Sequence, residues 1–137
     1  MRIMALDVGE RRIGVALSDP GGILASPHSI IEVPDPDSAV RAILEIAGKE
    51  GVGRIIVGLP RLMTGRLGRQ AARVRAFVER LGQQTDLPLE YRDERLSTVS
   101  ARRMMAEGRR RRQRKTRYDA AAAAVILQAY LEEGRNR

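Results

Sequence analysis

The chain has 137 residues, 43% of them hydrophobic, and carries a net charge of +8 without a single cysteine. Its length predicts one domain over residues 1–137, with enough apolar side chains for one core. Without cysteine, disulfides, thiolate zinc sites and a cysteine nucleophile are excluded, which suits the reducing cytoplasm, where we expect the protein to act. The first residues show no signal-peptide pattern, and no apolar run is long enough to span a bilayer, so we expect no membrane association.

The first part of the chain predicts three strands followed by a helix. Residues 3–6 form an apolar run typical of a central strand buried on both faces, and a glycine-containing turn after Asp7 leads into a second strand. The third strand, residues 23–33, contains Pro27, which favours a sheet edge or a bulge. Residues 35–38 have the composition of a helix cap, so a helix is expected to follow them.

The rest of the chain alternates strands and helices. The pattern predicts strands at 54–58 and 87–91 and helices at 70–81, 97–107 and 117–133, the last one rich in alanine. A loop rich in glycine, proline and arginine follows the strand at 54–58. The order βββαβαβαα predicts an α/β fold in which a mixed sheet carries helices on both faces.

Positive charge is concentrated in residues 109–117, which contain seven basic residues, no acidic residue, and seven of the eight excess charges. The basic residues are Arg109, Arg110, Arg111, Arg112, Arg114, Lys115 and Arg117. Such a run repels itself, so we expect a mobile segment whose partner is nucleic acid; the alternative is a solvated segment that only aids solubility. The aromatic content of 3% argues against base stacking as the main mode of binding.

Three acidic residues stand out by their positions. Asp7 follows a buried strand, Glu94 follows the last predicted strand, and Asp119 lies near the start of the alanine-rich helix on its apolar side. An isolated carboxylate in apolar surroundings is costly unless it is paired or bound to a cation. Structural alternatives are a turn role for Asp7, a helix-dipole role for Asp119, and a surface pair of Glu94 with Arg92 or Arg95.

Four segments of the chain resemble the YqgF family, also called RuvX. They are residues 6–9 with 12–16, residues 58–60 with Gly65, residues 93–98, and residues 118–123 with 126–128. The resemblance implies a single ribonuclease-H-like nuclease domain with a five-stranded sheet in the order 3-2-1-4-5. It also implies hydrolase chemistry, either maturation of the 5′ end of 16S ribosomal RNA or resolution of four-way DNA junctions. By the matched segments, Asp7, Glu94 and Asp119 take the family's acidic-site positions.

The chemistry of carboxylates suits that assignment. Three carboxylates can hold two Mg²⁺ or Mn²⁺ ions about 3.5–4 Å apart for phosphodiester hydrolysis, and without metal their repulsion should raise at least one pKa. In a 3-2-1-4-5 sheet, however, Glu94 follows a strand that lies about 9–10 Å from the strand of Asp7. Glu94 must therefore turn back toward it. Asp93, which would face the other way, is the less favoured alternative.

Several arginines outside the basic segment are also expected to hold phosphates. They are Arg11, Arg12, Arg61, Arg66 and Arg69. The chain departs from the family pattern at Arg61–Thr64, where asparagine and aspartate are usual, and at Glu10, where a small polar residue is usual. His28, the only histidine, is expected to have a structural role because it lies in the proline-containing strand.

Three classes of function are compatible with individual features of the sequence. A metal-dependent endonuclease agrees with all of them, whereas a non-catalytic nucleic-acid-binding domain would be favoured by the loss of one acid. A nucleotide-phosphate enzyme of the actin type is excluded by size, because those enzymes bind nucleotide between two such domains. The sequence does not choose between ribosomal RNA, alone or in ribosomal particles, and junction DNA, and it leaves the oligomeric state open, a homodimer included.

Overall fold

The computed structural model describes residues 1–32, 35–60, 68–94 and 118–135, with the backbone alone described for residues 60, 93, 94, 118, 119 and 135. The elements in these ranges are β1 (Arg2–Val8), β2 (Arg12–Ser18), β3 (Ala25–Glu32), α1 (Pro36–Glu50), β4 (Val52–Pro60), α2 (Arg69–Gly82), β5 (Leu89–Glu94) and α3 (Tyr118–Arg135). The predicted helix at 97–107 and the basic segment at 109–117 lie outside the described residues.

The five strands form one mixed sheet in the order β3-β2-β1-β4-β5. The strands β1, β4 and β5 are parallel, whereas β2 is antiparallel to both β1 and β3. This arrangement confirms the predicted α/β fold and its strand order. It also confirms β1 as the central strand, and its apolar residues 4–6 are fully buried.

Two of the strand boundaries that differ from the sequence-based prediction bear on the predicted acidic residues. β5 runs from Leu89 to Glu94 instead of 87–91, so Glu94 is the last residue of the strand and does not follow it. The strand continues because its polar residues 92–94 pair with residues 58–60 of β4, which supplies backbone hydrogen bonds that an apolar pattern does not reveal. Asp7 likewise lies inside its strand, one residue before the end of β1.

The edge strand β3 has the irregularity that Pro27 predicts. Val15 pairs with Ser29, but Ala16 pairs with Pro27, so the register shifts at His28. The His28 ring lies 2.9 Å from the Ser29 hydroxyl and 3.9 Å from the Glu50 carboxylate. These contacts place His28 at the edge of the sheet, two strands away from Asp7.

Helices cover both faces of the sheet. α1 and α2 pack on one face against large apolar residues of all the strands from β1 to β4, and α3 packs on the other face against Ala5, Ala16 and Ile56. Asp35 caps α1 as predicted, since its carboxylate accepts a hydrogen bond of 2.7 Å from the Ser38 backbone N–H. None of the described helices combines the length and the apolar character that crossing a bilayer needs.

Candidate active site

Asp7 lies on the side of the sheet that α3 covers. Its neighbours in β1, Leu6 and Val8, belong to the core under α1 and α2, whereas Ala5 packs with residues of α3. Because successive side chains of a strand point to opposite faces, Asp7 shares the α3 face with Ala5. Its side chain is half-buried, as expected at the edge of a sheet and under partial cover.

Both neighbours of Asp7 in the adjacent strands are glycines. Gly14 of β2 pairs directly with Asp7, and Gly58 of β4 follows Val57, the partner of Leu6. The two glycines are buried, and neither carries a side chain on the face that bears the carboxylate. The sheet surface beside Asp7 therefore carries no Cβ atom on either side of the carboxylate.

The backbone of β5 brings Glu94 to the same edge as Asp7. Tyr91 lies in the row of Val57 and Leu6, so Glu94 is three residues beyond that row and Asp7 one residue beyond it. One strand, β4, separates them, which corresponds to about 9–10 Å between β1 and β5. The separation expected from the strand order is therefore present.

Strand alternation separates Glu94 from Asp93. Positions 90, 92 and 94 share one face of β5, and the side chains of Glu90 and Arg92 contact Tyr130 and Glu133 of α3. Positions 91 and 93 share the opposite face, where the Tyr91 ring lies 5.9 Å from the guanidinium carbon of Arg75 in α2. The backbone thus places position 94, and not position 93, on the side of the sheet that carries Asp7.

Polar side chains fix the second half of α3 on the sheet. The Gln128 side-chain oxygen accepts a hydrogen bond of 2.9 Å from the Ala25 backbone N–H, and its nitrogen donates one of 3.2 Å to the Ile23 carbonyl. Ala25 pairs with Ser18 at the end of β2 that lies beside the start of β1. Gln128 therefore holds α3 at the end of the sheet where β1 begins, opposite to the end that carries Asp7.

Tyr130 makes a second attachment at the same end. Its hydroxyl donates to Glu90 at 3.0 Å and accepts from Arg54 at 3.0 Å. Arg54 is the partner of Ile3 near the start of β1. Position 119 precedes Gln128 by nine residues, or about 13.5 Å of helix. This length of helix is close to the length of the strand from Ile3 to Asp7, which is about 13 Å.

The structure describes the side chain of Asp7, whereas those of Glu94 and Asp119 lie outside its described part. Among the side chains that are described, no three acidic or histidine residues come together as a metal site. The metal-binding roles of Asp7, Glu94 and Asp119 therefore stay a prediction.

The described arginines predicted to bind phosphates lie at the edge that carries Asp7. Arg11 and Arg12 are exposed in the β1–β2 turn and at the start of β2, and Arg69 is exposed at the start of α2. Gly9 is required in that turn, since its N–H donates to the Arg12 carbonyl at 2.8 Å and a Cβ would lie 2.8 Å from the same oxygen. The remaining predicted phosphate ligands, Arg61, Arg66 and the seven basic residues of 109–117, are outside the described residues.

Arg73 belongs to the same surface and was not predicted. It lies one helical turn after Arg69, is exposed, and places its guanidinium 3.6 Å from the carboxylate of Glu10. The four-residue spacing from Arg69 was the available signal, because residues i and i+4 share a helix face.

Comparison with known proteins identifies the family. The family model described as RuvX, Holliday junction resolvase, matches residues 1–133. A protein of Roseiflexus sp. strain RS-1, named as a pre-16S rRNA nuclease, is 47% identical over 135 residues, which are 98% of this chain and 96% of the relative. A protein of Desulforamulus reducens with the same name is 44% identical over 139 residues, 98% of each chain.

Solved structures of resolvases share the fold. Thermus thermophilus RuvC in complex with a Holliday junction substrate matches with a TM-score of 0.62 at 11% identity, over 99% of this chain and 96% of that one. The fowlpox virus Holliday junction resolvase matches with a TM-score of 0.58 at 13% identity, over 97% and 99% of the two chains. Together with the family model and the relatives, these matches confirm the resemblance read from the sequence: the chain belongs to the RuvX family, also called YqgF, and to its nuclease class.

Proposed function

We propose that the protein is a divalent-metal-dependent endonuclease that cleaves phosphodiester bonds during maturation of the 5′ end of pre-16S ribosomal RNA. The observation that carries this proposal is the position of Asp7, a half-buried carboxylate at the carboxyl edge of parallel strands between two buried glycines. The choice of ribosomal RNA rests on the relatives named as pre-16S rRNA nucleases, which this chain matches over nearly its whole length. Action in the cytoplasm belongs to the same proposal.

The residues at this edge fit a Mg²⁺ or Mn²⁺ site. Asp7 offers carboxylate oxygens, and the strand and helix positions of Glu94 and Asp119 can add two more carboxylates on the same face. Oxygen ligands of this kind are the ones hard divalent ions prefer. When bound, two such ions would activate water and stabilise the leaving oxygen of the cleaved phosphodiester.

The protein's own residues have separate roles in this proposal. Asp7 would hold metal from β1, the central strand of the sheet, which is paired on both sides. Gly14 and Gly58 place no Cβ atom beside the carboxylate, so no side chain of these two positions would block a phosphodiester group there. Arg11, Arg12 and Arg69 bind flanking phosphates at the same edge and orient the nucleic acid.

The positions of the other two carboxylates support their assignment. Glu94 is favoured over Asp93 because strand alternation puts position 94 on the α3 face. Asp119 is favoured because Gln128 and Tyr130 fix α3 near the start of β1, and the intervening helix is long enough to reach the opposite edge.

A four-way DNA junction is the second candidate substrate. The family description names Holliday junction resolvase, and the structures of two such resolvases share this fold. Fold likeness at 11–13% identity does not select a substrate. A binding domain without catalysis is less favoured, since all three acidic positions are occupied by carboxylates.

A cleavage assay with both substrates tests the proposal. Precursor 16S ribosomal RNA and a synthetic four-way junction are incubated side by side with the protein in Mg²⁺ or Mn²⁺, with Asp7→Asn protein as the control for contaminating nucleases. We expect specific cleavage of the RNA that requires metal and is absent with the variant. Cleavage of the junction alone would show that four-way DNA, and not ribosomal RNA, is the substrate. Cleavage of neither would refute the nuclease assignment.

The basic segment at 109–117 is proposed to bind phosphates without taking part in the chemistry. Neutralising four of its arginines should weaken binding for all sequences, and flatten the slope of log affinity against log salt by up to about 0.9 per lost duplex contact, or about 0.7 for single strands. Turnover at saturation should fall much less than affinity, because the segment contributes uniform binding. An unchanged salt slope would show that the segment is only solvated.

A further inference from the structure

An acidic side chain lies among the arginines at the edge that carries Asp7. Glu10 precedes Arg11 and Arg12 in the β1–β2 turn, and its carboxylate is 3.6 Å from the guanidinium of Arg73 in α2. The side chains of Glu10 and Arg73 are 76% and 45% exposed. This solvent-exposed ion pair therefore joins the turn after Asp7 to the basic face of α2.

The direction of α2 places this pair at the edge of the proposed active site. The last residue of α2, Gly82, lies against Leu89, where β5 begins. The first turns of α2 consequently lie at the other edge of the sheet, where β1, β4 and β5 end. Arg69 and Arg73 thus share that edge with Asp7.

The chemistry of the pair favours exchange with a phosphate. An ion pair between exposed side chains gains little, because water and salt screen it and two long side chains lose freedom. A phosphodiester oxygen is an equally good acceptor for a guanidinium, and the chain of phosphates adds further negative charge near Arg69, Arg11 and Arg12. Glu10, in contrast, repels every phosphate that approaches the same arginines.

We propose that Arg73 binds the phosphate backbone of the substrate beside the cleavage site, and that Glu10 occupies Arg73 until the substrate displaces it. The proposal rests on the proposed function, in that the substrate is a nucleic acid. Glu10 then acts as a built-in competitor that weakens binding of poorly matched nucleic acid.

The chain contains a matched control pair whose arginine lies on the same helix as Arg73. Arg80 donates to Asp37 at 3.2 Å, and these side chains are 53% and 75% exposed, which is close to the values of Arg73 and Glu10. Arg80 lies in the last turn of α2, away from the edge that carries Asp7. Asp37→Asn and Arg80→Gln thus make the same changes of charge as Glu10→Gln and Arg73→Gln at the other end of α2.

Binding of precursor ribosomal RNA and of a four-way junction, measured in EDTA so that no cleavage occurs, tests the proposal. Glu10→Gln should bind about two- to fivefold more tightly at low salt, and the gain should shrink as salt rises. Arg73→Gln should bind more weakly, with a salt slope flatter by up to about 0.9 on duplex or 0.7 on single strands. The control variants Asp37→Asn and Arg80→Gln should each change affinity less than their counterparts.

A double variant separates competition for Arg73 from a general effect of charge. If Glu10 acts by occupying Arg73, Glu10→Gln should improve binding less in the Arg73→Gln background than in the native protein. An undiminished gain there, or an equal gain from Asp37→Asn, would overturn the proposal while leaving the nuclease function intact. Failure of the native protein to bind either nucleic acid would refute the proposed function and this inference together.

Discussion

The two faces of the sheet are packed in different ways. On the face under α1 and α2, large side chains such as Leu6, Ile43, Ile55 and Leu81 are completely buried in one continuous core. On the other face, in the part of the chain that the structure describes, α3 and the sheet meet through fewer buried residues, three alanines and four larger aliphatic side chains. These residues are Ala5, Ala16, Ile56, Ala123, Ile126, Leu127 and Leu131.

Specific polar contacts accompany this smaller apolar contact. Gln128 bonds to the backbone at the start of β3, Tyr130 bonds to Arg54 and Glu90, and Glu133 forms an ion pair with Arg92. Hydrophobic burial is non-directional, whereas hydrogen bonds fix the position of a helix along and around its axis. The α1/α2 face therefore supplies most of the described apolar stability, and the α3 face positions the proposed site. Substitutions on the two faces should separate stability from activity.

Asp7→Asn is expected to have the largest effect on activity. Removing a metal ligand should lower turnover at least about 100-fold, because even outer-shell partners of metal ligands are worth about 10–100-fold. The melting temperature should stay the same or rise slightly, since no apolar packing is lost and carboxylate repulsion is relieved. Steady-state cleavage and thermal unfolding measure the two effects.

Asp37→Asn serves as the charge-matched control for this experiment. It removes an exposed carboxylate at the start of α1 and should leave turnover near the native value. Full cleavage by Asp7→Asn protein would show that Asp7 is not a metal ligand and that the α3 face serves only for packing.

Leu81→Ala should have the opposite effect, on stability alone. The side chain is fully buried under α2, so its truncation should lower the free energy of unfolding by about 2–5 kcal/mol. The protein that remains folded should keep its turnover number, because Leu81 lies on the other side of the sheet from Asp7. Denaturant unfolding and cleavage below the unfolding transition test this, with Val125→Ala, an exposed change on α3, as the control. A large fall in turnover per folded molecule would show that the two faces are coupled.

Asp119→Ala tests whether the first turn of α3 contributes to metal binding. If it does, Mg²⁺ or Mn²⁺ at about 100 times the dissociation constant should stabilise the native protein by about 2.7 kcal/mol, and the variant should lose most of that gain. Thermal unfolding with and without metal provides the measurement. An undiminished gain in the variant would leave Asp119 with the role of complementing the helix dipole.

Gln128→Leu should affect the site through the position of α3. It removes the hydrogen bonds to the partly buried Ala25 N–H and the exposed Ile23 carbonyl, at a cost of about 0.5–1.5 kcal/mol each at most, since water can replace the partner. We also expect metal affinity to fall several-fold, since the start of α3 would be held less firmly. Gln128→Glu keeps the acceptor for Ala25 and should restore part of the metal affinity. Equal metal affinity in native and Gln128→Leu protein would limit Gln128 to a structural role.

The sequence predicted the elements whose signals are local. The apolar run before Asp7 indicated β1, and the residues around Asp35 indicated the start of α1, because both patterns lie within a few residues. The end of β5 was missed, since its residues 92–94 are polar and extend the strand by pairing with β4. The contacts of Gln128 and Arg73 were also missed, because a helical pattern shows which face is buried but not which distant residue it meets.

The smallest effects are expected at two carboxylates, one on each side of the molecule, that accept hydrogen bonds from nearby backbone N–H groups. The Ser38 backbone N–H lowers the pKa of the Asp35 carboxyl at the start of α1. The backbone N–H groups of Leu24 and Ile23 lower the pKa of Asp19 in the loop on which α3 rests. Since each folded pKa is below its unfolded value, each carboxylate stabilises the fold above the unfolded pKa of about 3.9, and this contribution is lost as pH falls through the folded pKa.

Melting temperature measured from pH 6 down to pH 3 should therefore fall less steeply in Asp35→Asn and in Asp19→Asn than in the native protein. Both variants should be less stable than the native protein at pH 6, and the differences should narrow as the pH falls below the unfolded pKa of about 3.9 toward the lower folded pKa. The two sites are expected to differ in one respect, because Asp19 holds the loop whose Ile23 carbonyl accepts from Gln128. Asp19→Asn should slightly weaken the metal-dependent rise in melting temperature, whereas Asp35→Asn should not. Parallel pH profiles for all three proteins would show that these hydrogen bonds add no charge-dependent stability, and equal metal effects in both variants would show that the loop does not help to position α3.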